Sequence, residues 1–372
     1  MSSVNTVGRP DATAQAARAP LRSANPATRG RRSHRLVFAG ATGLLLLAFV
    51  IAAGTGAYAI SPGQLLRVIG ALLTGTHDPS PEYLVFVNIR LPRLLLGVVA
   101  GFGLGMSGTL MQGLFRNPLA DPGLIGISSG AALAAGITIV LGAWLMPALP
   151  RTLGSWTLVS MAFAGGFAVT MLIYALSQGD GGTRMALMLL AGVAVNALAG
   201  AGLGFLSVIA TDEQLRSLQF WLLGSLGGAR WSAVLLVGVV VFLACLVALT
   251  LAGPLNAIAL GESQATLLGV NVEATKRRAI VVTACAVGAI TATTGIVGFI
   301  GLIAPHWVRM VTGPDHRVVL PLSGIVGAAL LLCADAIART AMAPSELPLG
   351  VLTAFIGVPM FLLMLRHFRG RI

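Results

Sequence analysis

The sequence predicts an all-α polytopic membrane protein of about ten crossing helices, with both termini in the cytoplasm. Three observations carry this. Of 372 residues, 56% are hydrophobic and only 10% charged, and mean hydropathy is +0.90. A soluble domain carries about 25% charged residues, so this chain has too few polar side chains to cover a water-facing surface. The apolar residues fall in charge-free intervals long enough for bilayer-spanning helices, which need roughly 20 residues each. Glycine is abundant, at 47 residues, as suits membrane helices whose backbones approach closely. This composition excludes a soluble enzyme, a disordered chain and a disulfide-built secreted scaffold.

The elements follow in order. Residues 1–35 are rich in Ala, Arg, Ser and Pro and hold seven arginines. They read as a disordered basic cytoplasmic tail, since no apolar run precedes Arg35 to make a cleavable signal peptide. A transmembrane region, 36–372, follows. Its charge-free intervals are 36–66, 94–115, 122–150, 152–179, 185–211, 231–261, 279–308, 318–334 and 347–365. At 61–74, Ser61 as N-cap and Pro62 at the first helical position predict a short amphipathic helix on the outer surface. The interval 279–308 is interrupted by Gly295, Gly298 and Gly301, with Pro305 near its end. Dividing it into one full helix and one short returning helix gives ten spans instead of nine. The cationic residues favour ten, because 17 of the 24 Lys and Arg then lie inside, as the positive-inside rule asks. Residues 253–275 form the longest inner loop after the tail. With Gly261 and Gly269 as breaks, it suits two short helices that either dock on a partner or lie on the membrane surface.

The scarce charges bound the chemistry. The net charge of +12 is explained by topology rather than by nucleic-acid binding. Lys276 is the only lysine, and it does not stand in a phosphate-binding G-x-x-x-x-G-K-[S/T] loop. Any ATP-driven work must therefore draw on another subunit. An ion-coupled secondary transporter buries ionisable groups at mid-membrane. Here Asp335 is the main candidate, and Arg339, four residues on, predicts an i,i+4 ion pair. A transporter of that class would lose uptake with the proton gradient and survive the loss of ATP. Cys245, Cys285 and Cys333 lack metal-ligand spacing and read as small buried hydrophobes, so no metal site is expected. No paired carboxylates, histidine cluster or activated nucleophile marks an enzyme. Arg90 and Arg93, flanking Leu91-Pro92, and Arg339 form an outer group of cations suited to steering an acidic partner.

Several runs together carry a family resemblance. They are IRLPRLLLGVVAGFGLGMSGTLMQGLFRNPLADPGLIGISSGAA from Ile89, LLAGVAVNAL at 189–198, FWLLGSLGGARW at 220–231 and LNAIALGESQATLLGV at 255–270. GFIGLIAPHWVRMVTGPDHRVVLPLSGIVGAALLLCADAIAR at 298–339 and ELPLGVLTAFIGVPMF at 346–361 complete the order. About residues 36–372 resemble the FecCD-type permeases of ABC importers for iron-siderophores, haem and cobalamin.

The resemblance implies a ten-helix type II ABC importer permease of the cytoplasmic membrane, surrounded by lipid. It implies a second permease subunit, identical or paralogous, two cytoplasmic ATP-binding subunits and an extracytoplasmic substrate-binding protein. The chain itself would hold no cofactor, and ATP and Mg would be used by the partner ATPase. Arg90, Arg93 and Arg339 would meet acidic residues of the binding protein. Leu255, Asn256, Gly261, Glu262, Ala265, Leu268 and Gly269 would form the coupling segment, with Glu262 a polar anchor against the ATPase. Asn117, Pro118 and Leu119 would stand at the cytoplasmic gate, and the short loop 178–184 where a second gate segment is expected. Pro305, His306, Arg309 and Asp335 would be structural or translocation residues. An iron-siderophore chelate is the expected cargo, moved by alternating access, with cobalamin and haem the nearest alternatives.

Overall fold

A computed structural model describes residues 26–369 apart from 57, 59, 77–79, 146–152, 180, 343 and 344. The expected disorder of residues 1–25 falls outside the described residues. Residues 26–35, expected in the tail, instead open helix α1 (Pro26–Gly54). Proline suits a first helical position, and the arginines that follow are good helix formers, so nothing stops the helix before the bilayer.

Helix α2 (Pro62–Thr74) confirms the predicted short helix. Ser61 Oγ accepts the Gln64 N–H at 3.3 Å and Gln64 Oε1 accepts the Ser61 N–H at 2.8 Å, a reciprocal capping box. Helix α3 (Pro81–Leu114) passes through a π turn at Phe86–Arg90. It begins well outside the predicted interval at 94, because Arg90 and Arg93 find partners and need not end the helix. A 3-10 turn (Pro122–Ile125) leads into α4 (Ile127–Leu145), followed by α5 (Trp156–Leu176). A two-residue hairpin pairs β1 (Gln178–Gly179) with β2 (Gly182–Thr183). Then come α6 (Met185–Ile209), α7 (Asp212–Leu223), α8 (Trp231–Ala259) and the six-residue α9 (Glu262–Leu267). The chain ends with α10 (Val272–Thr294), α11 (Ile300–Thr312), α12 (His316–Thr340) and α13 (Leu349–Arg369).

Among the described residues, eight helices are long and apolar enough to cross a membrane: α1, α3, α4, α5, α6, α8, α12 and α13. Helices α10 and α11 are the two halves of the predicted division of 279–308, and they lie outside that set of eight. Helix α10 starts earlier than expected, so Glu273, Lys276, Arg277 and Arg278 lie on its first turns rather than in a loop. Residues 253–259, also assigned to that loop, complete α8 instead. Helix α11 has 13 residues, a reach of about 20 Å at 1.5 Å per residue. Phe299, at φ +67°, turns the chain into it.

Helix α3 is the central post and packs on α8, α10, α11 and α12. Its small residues set the distance. A Cβ added at Gly101 would stand 2.5 Å from the Gly327 carbonyl oxygen and 2.7 Å from the Ala328 Cα of α12. At Gly105 and Gly108 an added Cβ would likewise meet the Ser323 and Gly301 carbonyls. Lipid offers no hydrophobic drive between helices, so this backbone-to-backbone fit supplies the attraction as dispersion contact. Large side chains such as Leu47, Phe205, Val208 and Phe242 are exposed on α1, α6 and α8, a surface that suits acyl chains. The three cysteines are free. Cys245 and Cys285 are half-buried, while Cys333 is exposed rather than buried as expected.

Candidate functional sites

At one end of α3, α12 and α1, the outer arginines meet. Arg93 donates to Asp335 through Nε at 3.0 Å and Nη2 at 2.9 Å. It also grips Glu346 with both terminal nitrogens, at 2.8 and 2.9 Å. Arg339 Nε stands 3.0 Å from Asp335 Oδ2, the predicted i,i+4 pair. Its Nη1 and Nη2 donate to the carbonyls of Thr55 and Ala52 at 3.0 and 3.1 Å. Arg90 Nη1 donates to the Ala53 carbonyl at 2.7 Å, and Nη2 to that of Tyr58. Two arginines from other helices thus cap the orphan carbonyls at the end of α1, where the helix dipole is negative.

This geometry corrects the picture of three cations projecting outward. Arg90, Arg93 and Arg339 are 5%, 8% and 8% exposed. Their donors are occupied within the chain, because a buried guanidinium needs its hydrogen bonds satisfied. Only Glu346, on the loop before α13, remains substantially exposed. Hydrogen bonds and charge from Arg93 hold the Glu346 carboxyl below the usual carboxylate range, outweighing the opposing effect of burial.

At the other end of the chain's helices lies a second polar cluster. Glu273 Oε2 accepts the Thr183 N–H at 2.9 Å, while Oε1 accepts the Tyr174 hydroxyl at 3.0 Å and the Thr183 hydroxyl. Lys276 Nζ donates to the Thr183 carbonyl at 2.9 Å and to Glu262 Oε2 at 2.7 Å. The backbone of Thr183 is therefore clamped on both sides. Gly182, at φ +99°, allows this approach, since a Cβ there would stand 2.9 Å from Glu273 Oε2. Glu262, expected to face an ATPase with its carboxylate, turns one oxygen inward to Lys276 instead. The attraction is strong because Lys276 is only 3% exposed and needs a counter-charge.

The rest of the expected coupling segment divides by burial. Leu255 and Ala265 are fully buried and offer no contact face, whereas Leu268 is exposed. Leu260 and Leu267, not among the expected coupling residues, are exposed beside it. Gly261 is the N-cap of α9, and Gly269 follows its end at φ +80°. Asn256 ties α8 to the start of α12 rather than facing outward. Its Oδ1 accepts the His316 N–H at 2.9 Å, and its Nδ2 donates to Asp315 Oδ1 at 2.6 Å.

Between α3 and α4 the chain folds back toward the helix bundle. Asn117 Oδ1 accepts the Leu119 N–H at 2.9 Å, and Asp121 Oδ1 caps Gly123 at 2.7 Å. Leu119 packs on Leu302, Ile303 and Met364. Asn117, Pro118, Arg116, Arg309 and His316 line a cavity of about 260 Å³. Arg309 donates to Gln112 Oε1, and Gln112 Nε2 approaches the Leu302 carbonyl at 3.3 Å. Pro305 is buried in α11 and His306 half-buried. The α3–α11 contact thus joins Gln112 and Arg309, two residues 197 positions apart.

The signals for Glu273 and Thr183 were present but weak. A carboxylate three residues before the only lysine marks a charged helix start, and nothing in the sequence connects it to a hairpin 90 residues earlier.

A glycine-packed central helix, a short broken helix pair and ion pairs gathered at the helix ends are the architecture of a polytopic helical membrane protein. The chain belongs to the FecCD transport family, whose model matches residues 44–367. It is 46% identical over 329 residues to the hemin transport system permease protein HmuU of Yersinia pestis, covering 87% of this chain and 94% of that one. It is 41% identical to the cobalamin import system permease protein BtuC of Halobacterium salinarum, over 77% of this chain and 75% of that one. A solved metal-chelate type ABC transporter in an inward-facing conformation matches with a TM-score of 0.78 and 31% identity, over 90% of this chain and 99% of that one. The chain is thus the permease subunit of an ABC importer, a multi-pass protein of the inner membrane. Nucleotide is used by a partner ATPase, and membership implies a substrate-binding protein and dimerisation.

Proposed function

We propose that this permease moves haemin, a large planar metal chelate, into the cytoplasm by alternating access. The observation that carries this reading is the 46% identity to a haemin permease along 94% of its length, against 41% and 37% for the cobalamin and vitamin B12 permeases. The expected iron-siderophore cargo has no such support among these relatives. Uptake into vesicles containing this permease, its ATPase and its binding protein tests the choice. Haemin is taken up in preference to cobalamin and a ferric siderophore; preference for either of the others refutes it.

Both termini lie in the cytoplasm in this reading, on the strength of the 17 inner cations. The binding protein docks at the outer arginine cluster. Three cations there face two carboxylates, so an acidic lobe meets net positive charge. A partner carboxylate replaces exposed Glu346 on Arg93. The ATPase seats on Leu260, Leu267 and Leu268 around α9, and Asn117–Leu119 with the 178–183 hairpin form the inner gate.

A further inference from the structure

We infer that Lys276 is the positioning residue that links α9 to the 178–183 hairpin, so that displacement of α9 is delivered to the gate through one ammonium. The inference rests on the proposed roles of α9 and the hairpin. It adds the physical connection between them.

The place of this lysine is unusual. A long cationic side chain normally extends to water or to lipid headgroups. This one, the only lysine in 372 residues, is 3% exposed. It stands on α10, one turn beyond Glu273, and bridges two segments that otherwise belong to different parts of the chain. One contact is Glu262 Oε2 at 2.7 Å, on the first residue of α9. The other is the Thr183 carbonyl at 2.9 Å, the last residue of the hairpin.

Glu273, on the same helix, holds the opposite side of the same peptide through the Thr183 N–H at 2.9 Å. With the Thr183 hydroxyl also bonded to Glu273, the hairpin is tied to α10 by three hydrogen bonds, and α9 is tied to Lys276 by one. The hairpin has few means of its own to resist displacement, since its turn is built from Gly179, Gly181 and Gly182.

A shift of α9 leaves two courses. Either Lys276 follows Glu262 and pulls the Thr183 carbonyl with it, or the ion pair opens and a buried ammonium keeps a single carbonyl acceptor. The second course is unfavourable because a buried ammonium loses its directly bonded carboxylate and keeps only the charge of Glu273 nearby. Motion therefore passes along the link. Glu262 acts inside the chain, and its neighbours Leu267 and Leu268 receive the push.

The test uses the complete complex of permease, ATPase and binding protein in vesicles, with Lys276→Met, Glu262→Gln, the double variant and Lys276→Arg. Haemin, cobalamin and a ferric siderophore are each supplied, and the readout is cargo imported per ATP hydrolysed by the ATPase, taken for the cargo that the wild-type complex imports. Breaking the link lowers that ratio about tenfold in either single variant and no further in the double, because each single variant already severs the path from α9 to the hairpin. Lys276→Arg restores most of it. An unchanged ratio in both single variants, or losses that multiply in the double, overturns the link.

A second readout is independent of transport. Spin labels at Gly181→Cys and Ser263→Cys, with Cys245, Cys285 and Cys333 replaced by alanine, report the α9–hairpin separation. It stays constant through the ATP cycle with Lys276 present and varies with Lys276→Met. Constancy in both overturns the inference. If Lys276→Met does not assemble, Glu262→Gln, on a half-exposed side chain, gives the same reading. A wild-type complex that recruits no ATPase would instead refute the proposed role of α9.

Discussion

Replacing Asp335 with Asn separates the charge of the outer cluster from its shape. Asp335 is 1% exposed and accepts Arg93 Nε and Nη2 at 3.0 and 2.9 Å and Arg339 Nε at 3.0 Å. The amide is isosteric, so packing stays in place while the one carboxylate shared by two guanidiniums is lost. Removing one partner of a buried ion pair costs about 3–5 kcal/mol. Here the lower end applies, about 3 kcal/mol, because each arginine keeps other acceptors. Arg93 retains Glu346 at 2.8 and 2.9 Å, and Arg339 retains the Ala52 and Thr55 carbonyls. The assay is reversible unfolding in mixed micelles titrated with a denaturing detergent. A cycle with Arg93→Met isolates the pair, and the double variant should lose much less than the sum of the singles. A loss below about 1 kcal/mol for Asp335→Asn, in the range of an exposed pair, refutes the reading of this cluster as a buried fastener.

Three further outcomes follow from the same geometry. Gly101→Ala destabilises by about 1–3 kcal/mol despite alanine's better helix propensity, because the added Cβ meets α12 backbone that cannot rotate away; unfolding in the same micelles checks it, and a stabilised variant contradicts it. The Glu346 carboxyl is depressed in the folded protein, so its contribution is present above the ordinary carboxylate pKa of about 4.3 and is lost as pH falls through the lower folded value. Glu346→Gln flattens the acid limb of the stability profile and, by freeing Arg93, tightens binding-protein docking; weaker docking refutes the exchange. Leu267→Glu with Leu268→Glu, both exposed, abolishes co-purification of the ATPase while leaving the folded permease intact by size-exclusion chromatography.

The bilayer made much of the fold legible. Charge must avoid the hydrocarbon, so charge-free intervals located the helices, and Gly295, Gly298 and Gly301 marked the break between α10 and α11. The Ser61–Gln64 cap was readable because capping is local in sequence. The sites were less legible for the opposite reason. Arg90, Arg93 and Arg339 were identified, but whether an arginine faces a partner or its own chain depends on Asp335 and Glu346, which lie some 240 or more positions from Arg93. Glu262 was assigned to a partner because the donor it meets inside the chain, Lys276, belongs to a different helix. Ala265 and Leu268 are three residues apart and look alike as apolar positions. Only the seating of α9 buries the first and exposes the second.

In the proposed mechanism this chain is the path and the mechanical link, and energy enters through α9 from a separate ATPase. Cargo uptake into sealed vesicles carrying the reconstituted complex tests that claim most directly, with ATP and a proton gradient varied independently. Uptake that requires ATP and the ATPase, and continues when a protonophore collapses the gradient, is the expected result. Uptake that persists without ATP and stops with the gradient would contradict it.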